Sequence, residues 1–374
     1  MNETQVTLAT HGGRTGAGAL RTAVVGAGFM ARVHAESVRR AGGRVVAVVA
    51  PHREAAAAVG AERSYADLDA LLSGDAEVDA LHVCTPNVTH AGIARAALAA
   101  GVHVICEKPL TTSIADAEAL VAASAGRIAA VPFVYRFHPM VRELRARLAA
   151  GEAGIVSSVS GSYLQDWLAS STDQDWRVDP ALGGPSRAFA DIGSHWCDLL
   201  EFTTGDRIAR LSAQTVTVHE RGDRTTEELA TEDLSSVHFT TVGGVVGTLV
   251  VSQVAAGRKN RLHLEVSGTE ASFAFDQEDP ERLWIGRRSE STVLLRDPGT
   301  LSPGAARYAR LPAGHAQGYQ DCFDAFVADT HRAIRDGTPV EGLPTFTDGL
   351  RAVRVTDAVL RSAAADGAWV EVAP

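Results

Sequence analysis

Short β-rich runs alternate with alanine-rich stretches of helical length between Arg21 and Arg147. None of the runs alternates polar with apolar side chains, which is typical of strands that are buried on both faces. Strands of this kind, separated by segments long enough for a helix, form a parallel sheet with right-handed crossovers. The sequence therefore predicts an α/β fold that begins with a doubly wound parallel sheet. The five runs are residues 22–26, 45–49, 80–84, 102–106 and 128–131.

The second half of the chain has a different pattern, with longer segments in which apolar and polar residues alternate. Residues 211–218 and 235–242 are examples. The pair Gly243 and Gly244 predicts a tight hairpin turn after the second of them, and Ser267–Glu270 predicts another turn. These signals favour a mainly antiparallel sheet with one open face. Two long helices are predicted near the end of the chain, over residues 318–335 and 346–362.

These patterns divide the chain into three predicted regions. Residues 1–20 contain four glycines among small polar residues, without the basic start and apolar run of a signal peptide or anchor. We predict a flexible tail there. A doubly wound domain is predicted over residues 21–147 and an α+β domain over residues 148–374.

The overall composition excludes several classes of partner. The net charge is −10 and the pI is near 5.7, which argues against binding to nucleic acid or to an anionic membrane, since both need clustered positive charge. The four cysteines form no C-x-x-C pair, and the 13 histidines are dispersed, so no metal site is predicted. No apolar stretch approaches the roughly 20 residues that span a bilayer. We expect a cytoplasmic protein without nucleic-acid, membrane or metal partners.

A glycine-rich turn follows the first predicted strand directly. Gly26 and Gly28 allow the tight turn and the close approach of backbone N–H groups to a pyrophosphate, and Ala31 supplies the third small position of a G-x-G-x-x-A motif. The motif lies between a strand and a helix, as a Rossmann dinucleotide site requires. We therefore predict cofactor contacts at these glycines, Phe29 and Met30. The alternative is a tight strand–helix turn with no ligand.

The end of the second predicted strand bears on the choice of cofactor. An Asp or Glu there accepts from the ribose 2′-hydroxyl of NAD, but this chain has Ala-Pro-His-Arg at residues 50–53. His52 and Arg53 are suited to a 2′-phosphate, so the cofactor is predicted to be NADP or NAD, with NADP favoured. Two alternatives stay open, because Arg53 is equally suited to a solvated first helical turn and Glu54 lies close by.

Three further segments carry a family resemblance. They are Cys84-Thr-Pro-Asn87 followed by His90, the tripeptide Glu107-Lys-Pro109, and Asp191-Ile-Gly-Ser-His195. Together with the glycine turn, in this order and spacing, they make the chain resemble the Gfo/Idh/MocA family of NAD(P)-dependent oxidoreductases. The resemblance runs from residue 21 to residue 372 and includes residues 135–139, 314–318 and 347–350.

The resemblance implies an enzyme that transfers a hydride between nicotinamide and a secondary alcohol or ketone of a sugar, sugar derivative or cyclitol. Residues 21–147 would bind the dinucleotide, and residues 148–374 would bind substrate and form a homodimer or homotetramer. Alternatives are a non-catalytic dinucleotide-binding regulator and a dehydrogenase or reductase of a non-sugar diol or ketone. The additional cofactor contacts implied are Thr85, Pro86, Asn87, His90, Glu107 and Lys108.

The implied catalytic residues are Lys108, Asp191 and His195. Lys108 lies just past a predicted strand, where its ammonium would stabilise a developing alkoxide; the alternative is a surface lysine paired with Glu107. Asp191 and His195 are four residues apart and would share one face of a helix beginning at Asp191. An imidazole there can take the hydroxyl proton while the carboxylate orients it or binds substrate hydroxyls. The alternative is an N-cap and a core histidine.

The family assigns the histidine as base and the lysine as its partner, and the sequence leaves open which accepts the proton. Polyol recognition combines aromatic faces with amide, carboxylate and guanidinium groups. His138 replaces an asparagine expected in the family motif, which puts a contact there in doubt, and His315 is placed either near the site or only at a helix N-terminus. The predicted substrate contacts are Tyr135, Gln165, Trp167, Trp176, Arg177, Asp191 and His195.

Overall fold

A six-stranded parallel sheet forms the first part of the fold in a computed structural model that describes residues 18–219 and 231–374. Its strands lie in the spatial order β3-β2-β1-β4-β5-β6. The chain leaves β1 toward β2 and β3, then crosses to the other side of β1 with β4. This reversal creates the point at which open α/β sheets bind ligands. The strands are β1 (Arg21–Val25), β2 (Arg44–Val49), β3 (Arg63–Tyr65), β4 (Ala80–Val83), β5 (His103–Cys106) and β6 (Ala129–Ala130).

The doubly wound parallel sheet predicted from the sequence is confirmed, with one strand more than expected. All five predicted runs form strands, and β3 was missed because it has three residues, all at least partly exposed, and no apolar run. The helices of this part are α1 (Phe29–Arg40), α2 (Arg53–Val59), α3 (Leu68–Leu72), α4 (His90–Ala99), α5 (Ile114–Ala123) and α6 (Pro139–Ala149), with short 3₁₀ segments at Asn87–Thr89 and Val134–Phe137.

A nine-stranded sheet forms the second part of the fold. Its order is β14-β13-β12-β11-β7-β10-β9-β8-β15, and every neighbouring pair is antiparallel except β7 and β10. The predicted turn at Gly243 and Gly244 joins β9 to β10, and the turn after Ser267 joins β11 to β12. The strands are β7 (Val156–Leu164), β8 (Ile208–Val216), β9 (Leu234–Thr241), β10 (Val246–Ser252), β11 (Arg261–Gly268), β12 (Ser272–Asp276), β13 (Arg282–Gly286), β14 (Ser291–Leu295) and β15 (Val370–Glu371).

One face of the nine-stranded sheet is covered and the other is open, as predicted. Buried side chains alternate along its strands and pack on the covered face with Trp196, whose indole ring meets Phe239 edge-on. The helices of this part are α7 (Pro180–Gly183), α8 (Ser194–Thr204), α9 (Pro303–Ala306), α10 (Tyr319–Asp336) and α11 (Phe346–Ala364), with a 3₁₀ segment at Trp176–Val178 and a π-helical segment at Phe189–Gly193. Apolar side chains on the open face, each between 37% and 57% exposed, are Val246, Val250, Trp284, Val293 and Leu295.

The last two long helices return to the parallel sheet. Phe323 on α10 packs with Val24 of β1 on one face of that sheet. Leu350 on α11 packs with Leu81 of β4 on the other face. The C-terminal part therefore contributes layers to both sheets, and the division at residue 147 stays a prediction. Residues 1–17 of the predicted tail lie outside the described residues. Nowhere in residues 18–219 or 231–374 is there a helix long and apolar enough to cross a membrane.

Candidate active site

A cleft of about 980 Å³ lies at the carboxyl ends of β1, β4 and β5 and extends to the nine-stranded sheet. It brings together most of the residues predicted as site residues, although they are spread along the chain from Gly26 to His195. The predicted residues that line it are Gly26, Gly28, Phe29, Met30, Thr85, Pro86, Asn87, His90, Glu107, Lys108, Tyr135, Gln165, Trp167, Trp176, Arg177, Asp191 and His195.

The glycine turn has the geometry that a dinucleotide pyrophosphate requires. Gly26 has φ +108, and a Cβ at this position would lie 2.4 Å from the carbonyl oxygen of Cys84. Gly28 is the N-cap of α1, and no described heavy atom lies within 4 Å of the Cβ it lacks. The first turn of α1 therefore presents uncapped N–H groups toward open space, which suits an anionic group. Ala31 is fully buried against the sheet, as the third small position should be.

At the end of β2, the described side chains show no contact that distinguishes NADP from NAD. Pro51 lines the cleft, whereas His52 is exposed at the N-cap of α2 and is not among the described lining residues. The side chain of Arg53 lies outside what the structure describes. A contact of either residue with a 2′-phosphate stays a prediction.

Two predicted cofactor residues use their polar atoms within the protein. The imidazole of His90 has Nδ1 2.8 Å from the carbonyl oxygen of Pro109 and Nε2 2.9 Å from that of Thr85. Both ring nitrogens are thus engaged by backbone, and the ring joins two loops of the cleft. The side-chain amide of Asn87 donates to the carbonyl oxygen of Gly183 at 2.9 Å, so this residue also holds the wall of the cleft.

The predicted catalytic lysine is held by an aspartate from the other part of the fold. Lys108 Nζ lies 2.5 Å from Oδ1 of Asp191 and 2.8 Å from its carbonyl oxygen. The alternative pairing of the Lys108 ammonium with Glu107 is not what the structure shows. The Glu107 carboxylate accepts from the backbone N–H of Lys108, at 3.1 Å, and the ammonium is held by Asp191. The other carboxylate oxygen of Asp191 accepts from the amide of Gln253 at 2.7 Å, and Arg177 Nε lies 3.5 Å from Oδ1.

The helix predicted to begin at Asp191 begins elsewhere. Asp191 lies within the π-helical segment, and α8 starts three residues later at Ser194. Asp191 is therefore neither an N-cap nor a first-turn residue of α8. A π-helical turn contains an extra residue, which sequence spacing based on 3.6 residues per turn does not reveal, and such turns are frequent at functional sites.

Burial and neighbouring charges shift the pKa values of two of these residues, Asp191 and His195. Burial opposes ionisation of Asp191, but the charge of Lys108, then that of Arg177, outweighs it and keeps the pKa of Asp191 below its usual range. Burial, with the charge of Lys108, lowers the pKa of His195 to about 3. At neutral pH the site therefore holds a carboxylate and a neutral imidazole.

His195 is fixed by packing. Its ring meets Tyr135 and Phe133 edge-on, with centroids 5.0 and 5.7 Å away. Its Nδ1 is buried and has no hydrogen-bond partner among the described residues. Nε2 is thus the ring nitrogen that can meet a ligand in the cleft.

A hydrogen-bonded chain of side chains lines the cleft next to His195. Trp167 Nε1 donates to Gln165 at 2.8 Å, and the Gln165 amide donates to Oδ1 of Asn260 at 2.8 Å. The same oxygen accepts from the Tyr163 hydroxyl at 2.7 Å, and that hydroxyl lies 2.5 Å from the hydroxyl of Tyr135. Three of these residues were predicted as substrate contacts, while Tyr163 and Asn260 were not.

The residues that the sequence analysis missed are single polar side chains outside any motif. Gln253 follows β10 directly, and β10 pairs in parallel with β7, whose end leads to the predicted Gln165. That pairing would have indicated Gln253 if the strand order had been known. Asn260 and Tyr319 line the cleft from a loop and from the start of α10, and no sequence signal distinguishes them.

His138 and His315, for which the sequence indicated no definite place at the site, do not line the cleft. His138 is buried, stacks parallel to Tyr135 at 5.9 Å, and has its pKa lowered by burial to about 4. His315 is exposed, and its carbonyl oxygen accepts from Arg296. Neither is among the described residues that line the cleft. The described segments also contain no group of three or more His, Cys, Asp or Glu side chains that could hold a metal ion.

Comparisons with known proteins identify the family of this chain. Residues 20–132 match the Gfo/Idh/MocA family description "Oxidoreductase family, NAD-binding Rossmann fold", and residues 141–274 match the C-terminal domain of the same family. The UDP-N-acetylglucosamine 3-dehydrogenase of Acidithiobacillus ferrooxidans is 30% identical, over 94% of this chain and 99% of the relative. The chain belongs to the Gfo/Idh/MocA family.

Other members of the Gfo/Idh/MocA family agree in sequence and structure over nearly the whole chain. The levoglucosan dehydrogenase of Pseudarthrobacter phenanthrenivorans is 29% identical over 94% of this chain and 98% of its own length. A levoglucosan dehydrogenase solved with NADH and L-sorbose superposes with a TM-score of 0.87 at 27% identity, covering 96% and 100% of the two chains. An inositol dehydrogenase homologue from Azotobacter vinelandii, solved with NADH and myo-inositol, has a TM-score of 0.83 at 28% identity, covering 95% and 98%. The chain is thus a Gfo/Idh/MocA oxidoreductase with an NAD-binding Rossmann fold.

Proposed function

We propose that this oxidoreductase transfers a hydride between the nicotinamide of NAD(P) and a secondary alcohol or ketone of a sugar, sugar derivative or cyclitol. The observation that carries the proposal is the convergence, in one cleft, of the glycine turn, Lys108 after β5, Asp191 from the π-helical segment and His195 from the start of α8. The relatives named above act on, or were solved with, compounds of this class.

A bound dinucleotide would be held at the N-terminus of α1. The uncapped N–H groups after Gly28 suit the pyrophosphate, and the absence of an acidic residue from the first turn leaves the helix dipole unopposed. When bound, the cofactor supplies the nicotinamide carbon that accepts or donates the hydride. The remaining chemistry, which is positioning and proton transfer, belongs to the side chains of the cleft.

Lys108 and His195 have complementary roles in this proposal. The Lys108 ammonium donates a hydrogen bond to the substrate oxygen and stabilises its negative charge as the alcohol proton leaves. The imidazole of His195 is neutral at neutral pH and accepts that proton at Nε2, the ring nitrogen that can meet a ligand in the cleft. In the direction of ketone reduction the same groups return the proton.

Asp191 acts on Lys108 more than on the substrate. Both of its carboxylate oxygens are already engaged, one by Lys108 and the other by Gln253. It therefore fixes the direction of the ammonium, and the predicted role in substrate binding becomes secondary.

Substrate hydroxyls would be recognised by the chain of hydrogen bonds through Gln165 and Asn260. The amides offer donors and acceptors, and Trp167 and Trp176 provide aromatic faces for C–H groups of a sugar ring. The guanidinium of Arg177 lies 4.4 Å from the centre of the Trp176 ring and fixes it.

NADP is proposed as the favoured cofactor, with NAD as the alternative. Support comes from the missing carboxylate at the end of β2 and from the basic pair His52 and Arg53 in the sequence. The NADH-bound relatives show that the family also uses NAD.

We also propose that the protein is a cytoplasmic homodimer or homotetramer that acts on small molecules. The exposed apolar side chains on the open sheet face, such as Trp284 and Leu295, support association through that face. Four free cysteines fit a reducing compartment. The net charge of −10 gives no support to a nucleic-acid or membrane partner.

The test combines purified protein with NAD or NADP and a panel of sugars, anhydrosugars and cyclitols, and follows nicotinamide absorbance. We expect turnover with at least one compound, and a loss of about 10²- to 10⁴-fold in Lys108→Met and in His195→Ala. Undiminished turnover in both variants would refute the assigned roles. Tight dinucleotide binding without turnover on any compound would favour the regulatory alternative.

A further inference from the structure

A buried line of polar side chains runs behind the cleft, from α1 through β4 to the end of β5. His34 Nδ1 lies 2.7 Å from His82 Nδ1, and His34 Nε2 lies 2.8 Å from Oε1 of Glu107. Oε2 of Glu107 accepts from the backbone N–H of Lys108 at 3.1 Å. Both histidines are completely buried, and Glu107 is nearly so.

The protons of this line can be assigned by hydrogen-bond logic. Burial keeps the pKa of His82 well below its usual value, so His82 is neutral and carries one N–H. If that proton is on Nδ1, it donates to Nδ1 of His34, and the single proton of His34 then lies on Nε2 and donates to Glu107. Burial raises the pKa of Glu107, but the hydrogen bonds from His34 and from the backbone N–H of Lys108, together with the charge of Lys108, outweigh burial and lower it, so the carboxylate is ionised. Every hydrogen bond in the line is satisfied with one proton on each ring.

The line connects the two halves of the reaction machinery. His34 is on α1, the helix whose N-terminus would receive the cofactor pyrophosphate, and Glu107 is the residue before Lys108. We propose that His34, His82 and Glu107 are positioning residues that fix the catalytic lysine relative to the cofactor-binding helix. The proposal rests on the proposed function, because it takes Lys108 as the catalytic lysine.

Packing alone does not account for these residues. The core cluster on this face of the parallel sheet is made mainly of apolar side chains, and one of them, Phe323, meets the His34 ring edge-on at 5.0 Å. An apolar side chain at position 34 would fill such a site without the desolvation cost of a buried polar network. A nearby histidine supplies the contrast: His331 on α10 is also fully buried, and neither of its ring nitrogens has a hydrogen-bond partner within the two described segments.

The experiment compares His34→Leu with His34→Gln and uses His331→Leu as the matched control. The glutamine amide can replace Nε2 as the donor to Glu107, whereas leucine removes the donor and keeps the volume. Each variant is assayed for kcat and KM, for the dissociation constant of NADH by fluorescence titration, and for thermal unfolding. We expect His34→Leu to lower kcat by about 10- to 100-fold, the usual effect of a displaced catalytic group, with a smaller change in KM for the sugar.

The same variant should weaken NADH binding several-fold. We expect His34→Gln to restore kcat to within about threefold of the parent, since one hydrogen bond to a charged group is recovered. His331→Leu should leave kcat and the NADH dissociation constant unchanged.

Two results would overturn the proposal. One is a His34→Leu protein that loses thermal stability but keeps its kcat and its affinity for NADH. The other is equal loss of activity in folded His34→Leu and His34→Gln, because the recovered donor would then have no effect. If His34→Leu does not fold, Glu107→Met serves instead, because it removes the acceptors for His34 and for the backbone N–H of Lys108 while keeping the length of the side chain. A folded Glu107→Met protein with the kcat and the NADH affinity of the parent would then count against the proposal.

Failure of the proposed function is distinguishable from failure of this inference. Without turnover by the parent protein on any compound, the proposed function fails, and the NADH titration of His34→Leu against His331→Leu still tests the link to α1. With normal parent turnover that is lost in Lys108→Met, the proposed function holds, and the inference is then decided by the His34 variants.

Discussion

Nζ of Lys108 lies 2.5 Å from Oδ1 of Asp191, although the two residues are 83 positions apart and come from different parts of the fold. Lys108 follows β5 of the parallel sheet, and Asp191 lies in the π-helical turn before α8. The ion pair therefore exists only when the two parts are assembled around the cleft. It also explains why this carboxylate stays ionised despite its burial.

Removal of the charge of Asp191 should weaken catalysis more than substrate binding. In Asp191→Asn the amide keeps the shape of the side chain, but the ammonium loses the charge that fixes its direction. We expect kcat to fall by about 10- to 100-fold, with a smaller change in KM. The control is Asp75→Asn, which removes the charge from an exposed ion pair with Arg63 and should leave kcat unchanged. A large rise in KM with normal kcat would instead place Asp191 on the substrate.

The pH dependence of the rate should lack the titration of an ordinary histidine. An unperturbed imidazole titrates at a pKa of about 6.5, whereas burial lowers the pKa of His195 to about 3. Its neutral form therefore predominates throughout the range from about pH 5 to 9 in which such enzymes are assayed. We expect no inflection near pH 6.5 in kcat/KM for alcohol oxidation. An inflection there that disappears in His195→Ala would contradict this charge state.

Stability should decrease in mild acid because several histidines are buried in the neutral form. Burial lowers the pKa values of His138 and His331 to about 4 each. Between pH 6.5 and 4 the unfolded chain binds these protons and the folded protein does not, so the free energy of unfolding falls as the pH falls, by about 1.4 kcal/mol per pH unit for each histidine. Thermal unfolding over this range tests the slope. His331→Leu should make it shallower, and an unchanged slope would exclude His331 as a contributor.

The parts of the fold that the sequence predicted are those set by local patterns. Apolar runs predicted five strands of the parallel sheet, and turn glycines predicted the β9–β10 hairpin, because burial on both faces and tight turns each leave a continuous signal. Strand β3 was missed because partner strands, not its own composition, make it a strand. The π-helical turn at Asp191 was missed for a related reason, since its extra residue leaves no change in the spacing of apolar residues.

The site was predictable where it follows strand ends and unpredictable where it depends on the strand order. Lys108 and the glycine turn follow parallel strands directly, so the topology alone brings them to one edge. Asn260 reaches the cleft, and Gln253 reaches Asp191, only because β7 lies between β10 and β11 in the nine-stranded sheet. No local pattern encodes that order. The same holds for the contact between His34 and Glu107, which depends on the packing of α1 against β4 and β5.

The choice of cofactor can be tested at the end of β2. Ala50 follows β2 and stands where a carboxylate would accept from the ribose 2′-hydroxyl of NAD. We expect Ala50→Asp to shift the ratio of kcat/KM for NAD over NADP by about tenfold or more toward NAD, as the carboxylate repels a 2′-phosphate. His52→Ala should lower only the value for NADP. Equal changes for both cofactors in the two variants would show that this segment does not determine the preference.

A change in the hydrogen-bonded chain through Gln165 and Asn260 should weaken substrate binding and leave cofactor binding unchanged. In Asn260→Ala, the Tyr163 hydroxyl and the Gln165 amide lose their common acceptor, Oδ1 of Asn260. We expect KM for the polyol to rise about tenfold, which corresponds to the net value of one or two hydrogen bonds. The dissociation constant of NADH should not change. A weaker NADH complex would mean that the chain supports the whole cleft and does not discriminate substrates.

Replacement of Gly26 and of Gly28 by alanine should affect stability and NADH binding differently. In Gly26→Ala the new Cβ would lie 2.4 Å from the backbone oxygen of Cys84, at a φ of +108 that alanine rarely adopts, so the turn itself must distort. We expect a lower temperature of unfolding together with loss of NADH binding.

In Gly28→Ala the Cβ meets no described atom within 4 Å and projects into the space before the uncapped N–H groups of α1. The temperature of unfolding should therefore stay near that of the parent, while NADH binding weakens by about tenfold or more because the backbone can no longer approach the pyrophosphate closely. Thermal unfolding and fluorescence titration on both variants measure the two effects separately, and normal NADH affinity in Gly28→Ala would mean that the pyrophosphate is bound elsewhere in the cleft.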